Sequence, residues 1–122
     1  MKLASAAAGL ALALSMPVMA QEHYGLHNAA ELARLCSTPA SAGDHVTAVS
    51  FCHGVLAGAY GYFLSATPAA DRFVCAPSSP QVTRAQVADG FVAWLKANPQ
   101  YGNDGAIDAL FRYAAGAYPC KR

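Results

Sequence analysis

Four cysteines are the residues of this chain with the clearest capacity for chemistry. The intervals between them are 16, 23 and 45 residues. A zinc site would favour a close pair such as Cys-x-x-Cys, and no such pair occurs. An even number of cysteines in a small exported protein is typical of structural disulfides. The pattern therefore favours two disulfides over a metal centre, and the cysteines are Cys36, Cys52, Cys75 and Cys120.

A hydrolytic centre would need a nucleophile beside a base and an orienting acid. Ser50 and His53 are three residues apart, which makes them neighbours on a helix. No acidic residue lies near them in the sequence, and no Gly-x-Ser-x-Gly motif occurs. A small hydrolase that uses Ser50 and His53 is the enzyme alternative, but we predict that the protein is not an enzyme.

Two further pairs of polar residues have a spacing of four. His23 and His27 could face one metal ion on a helix, but the other histidines are distant in sequence. Asp104 and Asp108 could form an acid/base pair, although one of them is expected to cap a helix and the other to face water. We therefore predict no metal, no cofactor and no catalytic residue.

The first twenty residues have the organisation of a secretory signal peptide. Lys2 gives a positive start, residues 3–14 form a short apolar run, and residues 18–20 (Val-Met-Ala) have small side chains at the first and last positions of a cleavage site. The apolar run is too short to span a bilayer comfortably. We expect cleavage after Ala20, release into a bacterial periplasm, and one mature domain over residues 21–122.

The composition limits the classes of partner that the protein can bind. Charged residues make up 12% of the chain, about half of the roughly 25% that is usual in soluble domains. Lys2 is the one charged residue of the signal peptide, so the mature part has seven basic and seven acidic residues and no net charge. A neutral chain has no basic surplus with which to bind nucleic acid.

Start and stop signals divide the mature domain into about four predicted helices. Two of the starts carry a capping box, with Glu31 and Gln86 three residues after the cap. The second helix is expected to reach about Leu64, and Pro99 and Pro119 end the third and fourth. The fold class that we predict is all-α, a compact bundle stapled by two disulfides. The predicted helices begin at Asn28, Asp44, Thr83, and Asn103 or Asp104.

The second predicted helix is apolar nearly all round. No charged residue occurs over residues 45–70, but that stretch contains polar residues and three glycines, which argue against insertion into a membrane. We expect a central helix wrapped by its neighbours and no membrane insertion of the mature chain. Gly54 and Gly58 form a small-x-x-x-small pattern, which would allow another helix to pack closely against this one.

The order of the helices constrains the pairing of the cysteines, because four cysteines allow three pairings. The end of the first helix lies near the start of the second, so Cys36 can reach Cys52. Cys75 precedes the third helix and Cys120 follows the fourth, and a short polar loop makes these two helices antiparallel neighbours. We predict the pairs Cys36–Cys52 and Cys75–Cys120, which stabilise by about 3 and 4 kcal/mol in the chain-entropy model.

Six tyrosines and few charges leave aromatic and apolar area for the surface. Such surfaces are typical of protein interfaces. Tyr24, Tyr62 and Tyr101 lie outside the apolar stripes of the predicted helices. The composition therefore favours a protein that binds another protein, or itself, over an enzyme.

The sequence contexts of the cysteines, together with one segment near the end of the third helix, resemble those of a known family. The resemblance runs from about Leu32 to Cys120, and its elements occur in the order Phe51-Cys52-His53-Gly54 with Gly58 four residues later, Phe73-Val74-Cys75-Ala76-Pro77, Trp94-Leu95-Lys96-Ala97-Asn98-Pro99, and Ala117-Tyr118-Pro119-Cys120. In this order, and behind a signal peptide, they resemble the Rap/Tai-type immunity proteins of bacterial type VI secretion.

The resemblance implies a small all-helical periplasmic protein, often a homodimer. It also implies that the protein binds a secreted peptidoglycan amidase with a catalytic cysteine and occludes its active site. The matched residues are structural, so they transfer no contact residue. Loops 65–74 and 98–105 suit insertion into an enzyme cleft, and Tyr101 is our candidate for partner contact. The alternative function is that of a periplasmic helical chaperone, stress protein or other binding module without a toxin partner.

Overall fold

The structure, a computed structural model, describes residues 26–121. The prediction of an all-α fold is confirmed, because four α-helices organise this part of the chain. Two short 3₁₀ turns connect them, Ala69–Asp71 and Pro99–Tyr101. The predicted signal peptide, His23 and Tyr24 lie outside the described residues. The helices are α1 (Ala29–Cys36), α2 (His45–Ala66), α3 (Arg84–Ala97) and α4 (Ala106–Ala117).

Side-chain caps begin α1 and α3 at the predicted residues. The Thr83 hydroxyl accepts a hydrogen bond from the Gln86 backbone N–H (3.1 Å), and the Gln86 side chain accepts from the Thr83 N–H (2.8 Å). This reciprocal pair is the predicted capping box. At α1, Asn28 accepts from the Glu31 N–H (2.9 Å), whereas the Glu31 carboxylate accepts from the N–H of His27 (2.7 Å). The cap predicted at Asn28 is therefore confirmed, but the reciprocal bond of the predicted capping box is not formed there. Each cap satisfies backbone donors that a helix start leaves without partners.

The other two helices begin differently from the prediction. The Asp44 side chain makes no capping hydrogen bond to α2, and His45 instead contacts the Thr38 carbonyl oxygen through Nδ1 at 2.7 Å. Gly105, rather than Asn103 or Asp104, is the residue before α4. The Asp104 carbonyl is engaged elsewhere, because it accepts a hydrogen bond from the Ala29 N–H at 2.9 Å.

Both predicted disulfides are confirmed. Cys36 and Cys52 join α1 to the second turn of α2, with their Cα atoms 5.2 Å apart. Cys75 and Cys120 join the segment before α3 to the chain after α4, with a Cα separation of 4.8 Å. The Cys75 N–H also donates to the Tyr118 carbonyl (2.8 Å). The second disulfide therefore closes a short antiparallel contact between two connecting segments.

The centre of the fold is α1, not α2. The short α1 packs against all three other helices, and Leu32 and Leu35 are fully buried. The prediction that α2 is a central, wrapped helix is wrong: its outer face is open, and the side chains of Val46 and Tyr62 are each 76% exposed. The reason is that much of this outer face carries glycine, alanine and serine, which give an apolar average without being buried.

Candidate functional site

A shallow groove of about 1180 Å³ lies between α2 and α4. Two aromatic rings, Phe63 and Phe111, pack against each other beneath it with centroids 5.1 Å apart. Around them stand three large apolar side chains with unusual exposure, Tyr62 (76%), Phe73 (50%) and Ile107 (39%). Grouped apolar side chains that remain exposed on a small protein mark an interaction site.

The loop that carries Phe73 is held in place from both ends. The Arg72 guanidinium donates to the carbonyl oxygens of Leu64 (2.8 Å) and Thr67 (3.1 Å), which ties the loop to the last turn of α2. On the other side Val74 is buried and forms an antiparallel bridge with Pro119. Phe73 is thus presented by a fixed backbone.

Ring contacts set the position of the Phe73 side chain. It meets Phe63 edge-on at a centroid distance of 5.0 Å and Phe111 at 6.2 Å. Edge-to-face pairs of this kind are favoured by the ring quadrupoles. One part of the ring is therefore packed, and the rest is available to a partner.

The second predicted loop forms the opposite end of the same groove. Its backbone is tied to the start of α1, because the Ala30 N–H donates to the Gly102 carbonyl (3.0 Å) in addition to the bond between Ala29 and Asp104. Asp104 and Gly105 line the groove, as do Thr67 and Phe73 from the first loop. The fold thus brings loops 65–74 and 98–105, which are distant in sequence, to one surface.

Charged side chains lie on the α4 side of the groove. Asp104, Asp108 and Arg112 contribute to its lining. The Arg112 guanidinium stands over the Tyr101 ring, 4.6 Å from the centroid. Among residues 26–121, neither aspartate forms a salt bridge with Arg112. Two carboxylates are therefore available at the rim.

Tyr101 is a packing residue in this arrangement. Its ring stacks on Trp94 with a centroid distance of 5.3 Å and an interplanar angle of 5°. It is half-buried and does not line the groove. Its proposed contact with a partner stays a prediction, and Tyr62, another of the three tyrosines singled out in the sequence, is the one at the groove.

Gly54 and Gly58 lie on the open side of α2. Apart from adjacent residues and the neighbouring backbone of α2 itself, no atom of the described residues comes within 4 Å of the position that a Cβ would take at either glycine. No other helix of residues 26–121 packs closely against them, so close packing of a helix at these glycines stays a prediction. The space over these glycines is accessible to another chain.

The residues considered for catalysis are not assembled into a catalytic centre. Ser50 is exposed on the outer face of α2 and His53 is half-buried, and no hydrogen bond joins them. Within residues 26–121, no group of three or more His, Cys, Asp or Glu side chains is placed to hold a metal ion. Over the same residues, no helix has both the length and the apolarity of a membrane span.

One buried hydroxyl has a shifted pKa, but it lies in the packing between α3 and α4. Burial raises the pKa of the Tyr113 hydroxyl above its usual range, and the Tyr118 hydroxyl 3.5 Å away acts in the same direction. The Tyr113 hydroxyl fills the space beside Gly90 that a Cβ would need. We assign Tyr113 a structural role.

Sequence reasoning missed two residues of the groove. Ile107 belongs to the apolar stripe of α4, which predicts a core residue, yet it is 39% exposed and lines the groove. Phe73 lies in loop 65–74, which we expected to enter a cleft, but within that loop it is marked only as a neighbour of Cys75. No local pattern distinguishes an exposed apolar side chain from a buried one, so the exposure of these two residues could not be predicted without the tertiary structure.

Comparison with known proteins identifies a family. A family model described as Rap1a immunity proteins matches residues 28–120, which is nearly the whole of the described chain and confirms the resemblance found at the cysteine contexts. No curated protein and no solved structure matches the chain.

Proposed function

The chain belongs to the Rap1a immunity protein family, and from this premise we propose that it binds a cell-wall amidase effector through the groove between α2 and α4. Membership of the family implies a role in immunity against type VI effectors. The amidase and the surface that meets it are our proposal. The observation that carries it is the cluster of exposed apolar side chains formed by Tyr62, Phe73 and Ile107 on a fixed backbone.

The groove has the features of an energetically important interface centre. Aromatic side chains dominate the binding energy of many protein complexes, especially where they are surrounded by further contacts that exclude water. Tyr62 and Phe73 are already exposed in the free protein, so binding requires no opening of the core. Phe63 and Phe111 support them from beneath.

Inhibition by occlusion depends on shape and rigidity. A loop that is ordered before binding loses little conformational entropy in the complex, and this raises affinity. Arg72 and the Cys75–Cys120 disulfide provide that order on either side of Phe73. We propose that the loop of residues 67–73 enters the amidase cleft and excludes its peptidoglycan substrate, so that no bond is made or broken by the immunity protein.

The carboxylates at the rim favour a partner with basic groups around its cleft. Asp104 and Asp108 lie beside the apolar centre of the groove. Complementary charges at a rim accelerate association more than they strengthen the final complex. The proposed complex should therefore form more slowly as salt concentration rises.

The proposal is tested by binding and inhibition assays with purified type VI cell-wall amidase effectors. The double variant Tyr62→Ala/Phe73→Ala should weaken the complex by about 700-fold, because two aromatic contacts of about 2 kcal/mol each are lost. Hydrolysis of peptidoglycan should recover in parallel. The control is Lys96→Ala, which truncates an exposed side chain on α3 that lies outside the groove. Equal affinities of the two variants would contradict the proposal.

We also propose that the open face at the start of α2 packs against a second copy of the chain. Val46 is exposed there, and Gly54 leaves room for a helix backbone to approach. Gly54→Leu should convert a dimer to a monomer in light-scattering measurements. If the wild-type protein is monomeric at high concentration, this dimer is excluded. That result would not affect the proposal that the groove binds the effector.

Export is the remaining part of the proposal. The family is typically periplasmic, and residues 1–20 have the pattern of a signal peptide. We propose cleavage after Ala20 and a periplasmic location. N-terminal sequencing of the protein from a periplasmic extract should begin at Gln21, and recovery of the intact chain from the cytoplasm would contradict this.

A further inference from the structure

A second cavity, distinct from the proposed effector groove, lies on the other flank of α2. It has a volume of about 280 Å³, close to the lower end of the range of about 300–1,000 Å³ that is usual for small-molecule pockets. Its walls are apolar side chains from three helices, and a loop formed by residues 76–83 closes one side. Among the wall residues are Leu56 and Tyr60 of α2, Val87 of α3, and Leu110 and Ala114 of α4.

The loop over this cavity is fixed by several independent contacts. The Tyr60 hydroxyl accepts a hydrogen bond from the Ala76 N–H at 3.2 Å. The Val82 N–H donates to the Pro77 carbonyl at 3.2 Å. The disulfide at Cys75 anchors the base of the loop. The cavity is therefore formed before any ligand arrives, as is usual for sites that bind small molecules.

Arg84 is the one charged residue among the described residues that line the cavity. It is exposed and makes no ion pair or hydrogen bond through its side chain within residues 26–121. The side chains of Ser78 and Gln81, which also line the cavity, likewise have no hydrogen-bond partner there. An apolar chamber with a cationic group and two free polar side chains in its lining is complementary to a molecule with an apolar tail and an anionic head.

We propose that this cavity binds a small amphipathic carboxylate of the fatty-acid class. The tail lies against the apolar helix faces, and the carboxylate meets Arg84, with Ser78 and Gln81 as further donors. A guanidinium binds a carboxylate through charge-assisted hydrogen bonds, which are stronger than neutral ones. Burial of the tail supplies most of the affinity, and Arg84 selects the anion over a neutral or cationic head.

Calorimetric titration with decanoate, decanol and decyltrimethylammonium tests the proposal on the purified protein. We expect saturable binding of decanoate, weaker binding of decanol by about tenfold, and the weakest binding of the cation. Equal affinities for decanoate and decanol would overturn the assigned role of Arg84. Absence of saturable decanoate binding would overturn the site itself.

Two substitutions test the contributions of the ligand's carboxylate head and its apolar tail separately. Arg84→Gln should weaken decanoate binding about tenfold and leave decanol binding unchanged. Ala57→Phe, at an exposed position on the wall of the cavity, should block the entry of both ligands. Lys96→Gln is the matched control, since it removes the same charge at the opposite end of α3. Circular dichroism shows whether each variant is folded, and decanoate binding that survives Ala57→Phe would refute the location.

An anionic lipid in a membrane has an apolar tail and an anionic head similar to those of a free fatty acid. Phosphatidylglycerol vesicles distinguish binding to a membrane from binding of a free ligand. Cosedimentation with vesicles combined with no binding of free decanoate would overturn the proposal of a small ligand. Binding of decanoate without cosedimentation supports it. The effector assay is independent of both results, because Arg84 and Ala57 do not line the groove between α2 and α4.

Discussion

The core around α1 and the groove between α2 and α4 use large apolar side chains in opposite ways. Around α1, Leu32, Leu35 and Phe91 are fully buried and stabilise the fold. At the groove, Tyr62 and Phe73 leave half or more of their surface in water. The groove therefore contributes little to stability per residue and keeps its apolar area for another molecule.

The two regions are also held together by different means. In the core, close packing of helices places the side chains, and the Cys36–Cys52 disulfide is buried among them. At the groove, a backbone that is not helical is fixed by Arg72 and by the Cys75–Cys120 disulfide, whose cysteines are less buried. The binding surface has only a small core beneath it, so the backbone that carries it depends on a disulfide and on hydrogen bonds to stay in place.

Removal of the Cys75–Cys120 disulfide tests how far the groove depends on this fixation. Cys75→Ala/Cys120→Ala opens a loop of 45 residues and should lower the free energy of unfolding by about 4 kcal/mol. Because it releases the segment beside Phe73, effector binding should weaken even at temperatures where the variant is folded. Urea unfolding monitored by circular dichroism measures the change in the free energy of unfolding. Unchanged stability would show that the groove region is held by packing alone.

A matched pair of aliphatic truncations compares the regions directly. Leu32→Ala, at a fully buried site in α1, should cost about 3 kcal/mol because it leaves a cavity in the core. Ile107→Ala, at the groove, should cost less than about 1 kcal/mol because the side chain is partly in water. Chemical denaturation of both variants measures the difference. Equal losses would mean that the groove is part of the core.

Two glycines test the packing between α3 and α4. Gly90→Ala should destabilise by about 1–3 kcal/mol, because the new methyl group meets the Tyr113 hydroxyl. Gly116→Ala, with nothing within 4 Å, should stabilise by about 0.5–1 kcal/mol through helix propensity. Thermal unfolding of the two variants and the wild type measures these changes in stability. Tyr113→Phe should relieve part of the Gly90→Ala loss, and simple additivity would argue against the contact.

A single charge at the rim of the groove should have a smaller effect. Asp108→Asn removes a carboxylate from the first turn of α4 and should cost about 0.3–1 kcal/mol, because the helix dipole favours negative charge there. Association with the effector should slow several-fold at low salt, and the difference from wild type should vanish at high salt. Stopped-flow measurements over a salt series check this. A salt-independent rate difference would indicate a direct contact instead.

Much of the fold follows from local sequence signals. The capping box at Thr83 and the cap at Asn28 are interactions within three residues, so they can be identified without knowledge of the fold. The disulfide pairs also followed, because short connections limit which helix ends can meet. The start of α4 was misplaced by about two residues, since the Asp104 carbonyl bonds to α1, a partner that local sequence does not reveal.

The candidate site was predictable only in part. The sequence identifies the two loops as protruding segments, but their meeting at one groove depends on tertiary packing that no local pattern specifies. Tyr101 was selected because it lies outside an apolar stripe, yet tertiary contacts place it against Trp94 and Arg112. An aromatic side chain packs equally well inside or at an interface, so its type alone does not locate it.

The four helices, their order and the covalent links between them follow from local sequence signals, because these depend on neighbouring residues and on short connections. Packing between the helices makes the short α1 central and leaves one face of α2 open. Hydropathy describes the cost of exposing a face, whereas burial depends on which other elements reach it. On α2 that cost is low, because much of the open face consists of small residues.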